Sequence, residues 1–316
     1  MKDVAQAIRD TTRRLLAEGL VDVVVGFEEG TLPLRSSPCF VRDAADSERL
    51  VWNMSCENNL ARYLPGIEGK AAIVAKGCDA RAIVVLLKEG RLDRERVFVI
   101  GVPCQGMLDR RSIEHKLRGK EILQAQEGET VVLLYAGGSE LALSKEEHLH
   151  ASCRACRFRN PVIYDAFVGD PVAEGEGADE YAEVREFEAK PAAERWAYFL
   201  AQMSRCTRCY ACRNVCPFCY CRTCFADITQ PQWLGRTVDP TDTLVFHIVR
   251  TLHVAGRCVD CGACDRACPL GVDVRKLTKK MEKDVAEFFH YRAGTSLEEP
   301  LPLATYSPDD PEDFIR

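Results

Sequence analysis

The chain has 316 residues, 47% of them apolar, a formal net charge of −6 and seventeen cysteines. That length and composition allow two domains with a real core, and the lack of a strong basic block argues against a nucleic-acid surface. An odd cysteine count, with no secretory signal pattern before residue 30, argues against a disulfide framework. It points instead to reduced, metal-bound thiolates and a cytoplasmic location. No apolar run approaches a membrane span, since Ala82–Leu87 is short and ends at Lys88.

Residues 1–170 alternate between helical and strand-like patterns. Val4–Leu16 has helical periodicity and Val23–Val25 is a short β-branched run. Ser55–Leu64 reads as a helix capped by Ser55. Ala71–Ala75 is a strand, followed by Lys76-Gly77-Cys78-Asp79, with Asp79 placed to cap a helix over Ala80–Lys88. Val97–Gly101 is a strand ending at Val102-Pro103-Cys104, and Thr130–Tyr135 is a fourth, ending at Ala136-Gly137-Gly138. Strands separated by helices predict an α/β domain with a mostly parallel sheet. Cys78, Cys104 and Gly137 follow strand ends, the edge where open α/β sheets bind ligands. With the pair Cys153 and Cys156 just beyond, Cys78 and Cys104 make a candidate set for a [4Fe–4S] cluster. Buried small hydrophobes are the plain alternative for single cysteines. The fourth ligand stays open, because Cys56 competes with Cys78 and Cys39 is a further candidate. His148 and His150 are candidate ligands by type but are expected at surface positions near a loop.

Residues 171–195 are acidic and contain Gly175, Gly177 and Pro191, which reads as a solvated linker or insertion. Residues 196–292 carry two runs, Cys206, Cys209, Cys212, Cys216-Pro217 and Cys258, Cys261, Cys264, Cys268-Pro269. Both follow the bacterial ferredoxin spacing, in which the cysteine before proline ligates the other cluster. Cys206, Cys209, Cys212 and Cys268 are therefore expected around one [4Fe–4S] cluster, and Cys258, Cys261, Cys264 and Cys216 around a second. Zinc is the alternative for paired cysteines, but structural zinc usually takes two separated C-x2-C knuckles. Cys219, Cys221 and Cys224 follow closely and are candidates for a fourth cluster completed by Cys39 or Cys56, or for structural roles.

Arg195–Met203 predicts a helix into the first run. Between the runs, Thr243–Ala255 predicts a helix with Leu244, Ile248, Leu252 and Ala255 on one face, and Val274–Phe289 predicts another after the second. The C-terminal domain is expected to be mainly α-helical and ferredoxin-like. It resembles the α-helical ferredoxin modules of heterodisulfide reductase and succinate dehydrogenase subunits. Trp196 and Trp233 are expected in the core. Residues 293–316 form a tail, rich in Pro, Asp and Glu from Leu297.

Three segments resemble the coenzyme F420 hydrogenase/dehydrogenase beta-subunit family over residues 70–170. Lys76-Gly77-Cys78-Asp79-Ala80-Arg81-Ala82 resembles its lysine-x-cysteine-acid-x-x-alanine segment. Gly101-Val102-Pro103-Cys104-Gln105-Gly106 resembles its glycine-x-proline-cysteine turn. Cys153-Arg154-Ala155-Cys156 with Asp165-Ala166-Phe167-Val168-Gly169-Asp170 resembles its cysteine-pair and glycine-aspartate segment. The resemblance implies FAD beside a third [4Fe–4S] cluster, the flavin splitting a hydride into single electrons. It puts Lys76 and Asp79 near the flavin or its substrate; otherwise Lys76 is a solvent-exposed cap. The chain departs from many relatives in lacking a cysteine after Leu134-Tyr135-Ala136-Gly137, and its ferredoxin module lies at the C-terminus where some relatives carry it at the N-terminus. It has no G-x-G-x-x-G fingerprint for a self-contained NAD site.

Together these features predict an iron–sulfur flavoprotein subunit that relays electrons between FAD and [4Fe–4S] clusters within a larger oxidoreductase complex. Its partner would be a hydrogenase, formate dehydrogenase or heterodisulfide-reductase-like subunit. The alternatives are a self-sufficient flavoenzyme reducing F420 or another small substrate, and a non-enzymatic iron–sulfur sensor or adaptor.

Overall fold

A computed structural model describes residues 4–128, 130–175 and 179–302. Helix α1 (Val4–Ala17) is followed by β1 (Val23–Glu29) and β2 (Ser36–Val41). Next come β3 (Ala71–Ala75), α2 (Gly77–Lys88) and β4 (Val97–Gly101). With β8 (Ala166–Phe167) these strands form a five-stranded sheet of order β2-β1-β3-β4-β8, parallel except at the β1–β2 edge. The continuous apolar runs of β1 and β3 follow from burial on both faces. Alternate residues point to opposite sides. Val23, Val25, Ile73 and Val99 pack with Ile83 and Leu86 of α2. Val24, Val74 and Ile100 pack with Ile8 and Leu15 of α1.

Two predicted elements differ. The run at Thr130–Tyr135 is not a fourth strand of this sheet. After α3 (Arg110–Lys116), it forms β6 (Val131–Ala136) of a separate antiparallel sheet with β5 (Ile122–Glu127) and β7 (Ser139–Ser144). Gly137 and Gly138, both left-handed, join Ala136 to Ser139 as a two-residue hairpin turn. Ser55 caps no helix, since the helical turn is Leu60–Gly66 and Asn59 caps it. Asp79 lies inside the first turn of α2. Its carboxylate accepts from the Lys76 and Leu60 backbone N–H groups at 3.0 and 2.8 Å.

After α4 (Ala151–Arg154), the C-terminal region is helical: α5 (Ala182–Glu188), α6 (Ala192–Met203), α7 (Ala211–Asn214), α8 (Pro240–His253), α9 (Ala263–Arg266) and α10 (Arg275–Phe289). The acidic segment is packed as well as charged: Glu180, Glu183 and Glu188 pair with Lys279, Arg275 and Lys283 of α10. Helix α8 turns the opposite way from the expected one. Ile248 and Leu252 are 45% and 52% exposed, while Thr243, Phe246, His247, Arg250 and Thr251 are buried. Trp196 and Trp233, expected in the core, are 53% and 63% exposed.

The helical region packs onto the α2 face of the sheet, where Phe218, Val254, Val259, Val285 and Tyr291 join the same core as Ile83. Buried charge stitches the join. Arg81 of α2 donates to the carbonyls of Ala293 (3.0 and 2.8 Å) and Val259 (3.2 Å), and lies 3.9 Å from Glu282 of α10. Removing Arg81 strands the buried Ala293 and Val259 carbonyls and leaves Glu282 with Lys279 as its remaining cation at 2.9 Å. Arg81→Met is therefore expected to lower stability by about 3–5 kcal/mol, read as the urea midpoint under anaerobic conditions. A change below about 1 kcal/mol, the scale of an exposed pair, would show that this junction does not hold the two parts together.

Candidate iron–sulfur centres

The two ferredoxin-type runs fold as copies of one loop. In each, the residue before the second cysteine is left-handed, Arg208 (φ 49°) and Asp260 (φ 51°). The residue after it is left-handed too, Tyr210 (φ 60°) and Gly262 (φ 69°), and opens α7 or α9. Glycine is needed only in the second copy, where a Cβ would stand 2.4 Å from Ser152 Oγ. Main-chain N–H groups at or beside left-handed residues, those of Arg208 itself and of Val272 after Gly271 (φ 59°), point at sulfur. Arg208 N lies 3.4 Å from Cys206 Sγ, and Val272 N lies 3.3 Å from Cys268 Sγ.

The structure brings the cysteines together in three sets. Cys206 faces Cys268 and Cys209, and Cys212 faces Cys264, Cys206 and Cys268. Cys216 crosses to the other run and lines a hollow with Cys258, Cys261 and Cys264. Cys78, Cys104, Cys153 and Cys156 line a third hollow beyond the ends of β3 and β4, and Cys261 forms part of its wall as well. Gly77 permits this closure, since a Cβ there would stand 2.1 Å from the Phe158 carbonyl oxygen. Among the described residues, no three His, Cys, Asp or Glu side chains converge on a single ion. Two of the sets instead line hollows, and four thiolates around a hollow are the donor set a four-iron cubane takes.

Burial pushes the Cys104 and Cys264 thiols up to about 12, and those of Cys156 and Cys212 up to about 11. Bound iron reverses that preference, because coordination deprotonates a thiol. Lys76 is not a solvent-exposed cap. It is 2% exposed and lines the third hollow, with its ammonium 2.9 Å from both the Asp79 carboxylate and the Asn58 carbonyl. Burial alone would lower its pKa, but Asp79, Cys78 and Cys104 outweigh burial and hold it above the ordinary lysine value.

The remaining candidates are dispersed. Cys56 takes the Asn53 N–H at 3.5 Å, and Cys39 sits in β2 facing Glu28, Arg49 and Asp46; neither lines the third hollow. Cys219 is in hydrogen-bond contact with Cys216, Cys221 is exposed, and Cys224 contacts Arg213, so the structure does not gather these three around Cys39 or Cys56. His148 is buried against Ser112, contrary to its expected surface position, and His150 pairs with Glu57 at 2.9 Å.

Three side chains beside the sulfurs were not foreseen. His247 Nε2 is 3.2 Å from Cys206 Sγ, Arg250 donates to the Cys212 carbonyl at 3.0 Å, and Arg266 donates to the Cys261 carbonyl at 2.7 Å. A readable signal was the stripe Thr243, His247, Arg250 and Thr251, at helical spacing on an otherwise apolar segment.

Fold and sites define an α/β domain joined to a ferredoxin-type module. The 4Fe-4S dicluster domain family matches residues 205–273. The F420-dependent formate dehydrogenase subunit beta of Methanocaldococcus jannaschii is 21% identical, over 91% of this chain and 91% of its own length. The F420-dependent formate dehydrogenase 1 subunit beta of Methanococcus maripaludis is 24% identical, over 96% and 94%. The chain is thus similar over most of its length to beta subunits of F420-dependent formate dehydrogenases, and it carries a 4Fe-4S dicluster domain toward its C-terminus. A chain of the F420-reducing [NiFe] hydrogenase complex from Methanosarcina barkeri aligns over 49% of this chain and 58% of that one, with TM-score 0.37 and 15% identity. At that level the likeness decides nothing. No helix among the described residues is long and apolar enough to cross a membrane.

Serine variants test the three sets. Cys156→Ser, Cys209→Ser and Cys261→Ser should each lose about four iron atoms per chain in anaerobic iron and sulfide assays, whereas Cys221→Ser should lose none. Full iron in any of the first three removes that cysteine from the ligands, and iron loss in the last reinstates a fourth site.

Proposed function

We propose that the chain is the iron–sulfur flavoprotein subunit of a larger oxidoreductase complex, relaying single electrons through three [4Fe–4S] clusters. Cys206, Cys209, Cys212 and Cys268 hold the first cluster, and Cys258, Cys261, Cys264 and Cys216 hold the second. Cys78, Cys104, Cys153 and Cys156 hold the third. One observation carries the reading: Cys261 stands in the walls of two hollows, and Cys264 lines one of them while packing with the remaining set. Neighbouring centres separated by single side chains make a continuous path.

The family resemblance implies FAD, and the chain offers a cleft for it. Gly30, Thr31, Arg35, Ser36, Ser37 and Asn58 line an open cleft that shares Glu57 and Arg266 with the third hollow. Hydroxyl, amide and guanidinium donors suit a phosphate-bearing cofactor. Bound there, FAD would supply the exchange between hydride and single electrons. Lys76 and Asp79 line or support the third hollow and do not line the cleft. Their role in this reading is to place a fixed cation beside the third cluster. The names of the relatives favour a formate dehydrogenase as the partner enzyme.

The test is iron, sulfide and flavin quantitation on one anaerobic sample. The expected content is about twelve irons, four for each cubane, and about one FAD per chain. Iron at the two-cluster level without flavin would leave a dicluster adaptor and overturn the proposal. Steady-state reduction of F420 by the isolated flavin-loaded chain, with formate or hydrogen as donor, should be absent. Robust turnover without a partner would make the chain a self-sufficient enzyme.

A further inference from the structure

Arg250 stands where the first and second cysteine sets meet. It is 4% exposed and lines the hollow ringed by Cys216, Cys258, Cys261 and Cys264. Its Nη2 reaches across to the carbonyl of Cys212, in the other set, at 3.0 Å. The titratable groups it faces include Cys264, Cys216, Cys212, Cys219 and His247, and no carboxylate forms an ion pair with it among the described residues. Its Nε is buried without a hydrogen-bond partner among those residues. An unpaired buried cation is costly; Arg81, Arg266 and Arg275 have the acidic partners Glu282, Glu57 and Asp260, whereas Arg208, buried in the first run, donates to the Gly235 carbonyl and lines neither hollow. Helix α8 leaves Ile248 and Leu252 exposed while it buries Arg250. A cubane held by four thiolates is anionic, and reduction adds a further negative charge.

We infer that Arg250 is a positioning residue for both module clusters, its guanidinium serving as their shared counter-ion and raising the reduction potential of each. Cluster potentials respond to net charge, and Arg250 brings a cation to the wall of one hollow while its bond to the Cys212 carbonyl fixes it against the other set. Its consequence is directional: electrons arriving from the third cluster are held on the module. The inference rests on the ligand sets proposed above. Iron counting tests those sets, whereas potentials test Arg250.

The experiment is an EPR-monitored redox titration of the full chain, reconstituted anaerobically, for wild type, Arg250→Gln and Arg250→Lys, with Arg13→Gln as an exposed control. Arg250→Gln should retain full iron. At a potential that half-reduces the wild-type module clusters, its reduced-to-oxidised ratio should be about tenfold lower, a shift of about 59 mV for a one-electron couple. Arg250→Lys keeps the cation without the Nε donor and should recover part of the shift, while Arg13→Gln should match wild type. Full iron with wild-type potentials in Arg250→Gln overturns the inference. If the glutamine variant fails to load, the lysine variant decides: a lowered potential supports the role and an unchanged one overturns it. Loss of iron in both makes Arg250 a requirement for assembly and also overturns the inference.

Discussion

Cys261 occupies the wall between two hollows, so the loop that carries it must be held fixed from both halves of the chain. The contacts around that loop answer the demand. Arg81 of α2 takes the Val259 carbonyl, and Arg266 reaches back to the Glu57 carbonyl at 2.5 Å. Arg111 takes the carbonyls of Arg266 and Cys268 at 2.9 and 2.6 Å. Asp260, between Cys258 and Cys261, is held by both arms of Arg275 at 2.7 Å and by Lys279 at 3.1 Å. Most of these bonds go to backbone carbonyls, so they fix the path of the loop and leave its sulfurs free.

The same contacts explain a contrast in charge. The whole chain is acidic, yet Lys76, Arg81, Arg250, Arg266, Arg275 and Lys279 are concentrated around the cysteines. Buried cations need compensation. Asp79, Glu282, Glu57 and Asp260 provide it for most of them. Charged pairs set close to each hollow create a local field that composition alone does not reveal. Net charge informs on solubility and encounter; potentials follow the few ångströms around each sulfur.

What could be read from the sequence divides along physical lines. The cysteine–proline runs were legible because cubane ligation imposes spacing directly on the chain. Strands Ala71–Ala75 and Val97–Gly101 were legible because a parallel strand buried on both faces leaves a short apolar run bounded by turns. The misreadings share a cause: each applied a local rule where tertiary context prevailed. Ser55 is a good cap by type, but its own N–H is bound by Asn53, and Asn59 does the capping. The apolar run ending at Gly137 reads by itself as one more strand of the parallel sheet, although two glycines between apolar runs are a hairpin signal. Helix α8 is the clearest case. Apolar periodicity predicts which face is buried only when the neighbour is an apolar core. Here the neighbours are thiols, and the buried face carries His247 and Arg250.

The order of the centres limits how the proposed relay operates. The third hollow adjoins a cleft suited to a small cofactor, the second shares a wall with it, and the first set carries the exposed Cys209. A path with one end at a cleft and the other near the surface has no branch among these three sets. In the proposed relay, electrons entering at the cleft pass Cys261 and then the Cys264 wall before reaching a protein partner. Such a path makes the middle position the most demanding: its cluster must accept from one neighbour and donate to the other without trapping the electron. Consistent with that demand, the loop of the middle set is the one clamped by Arg81, Arg111, Arg266 and Arg275, drawing its supports from both domains.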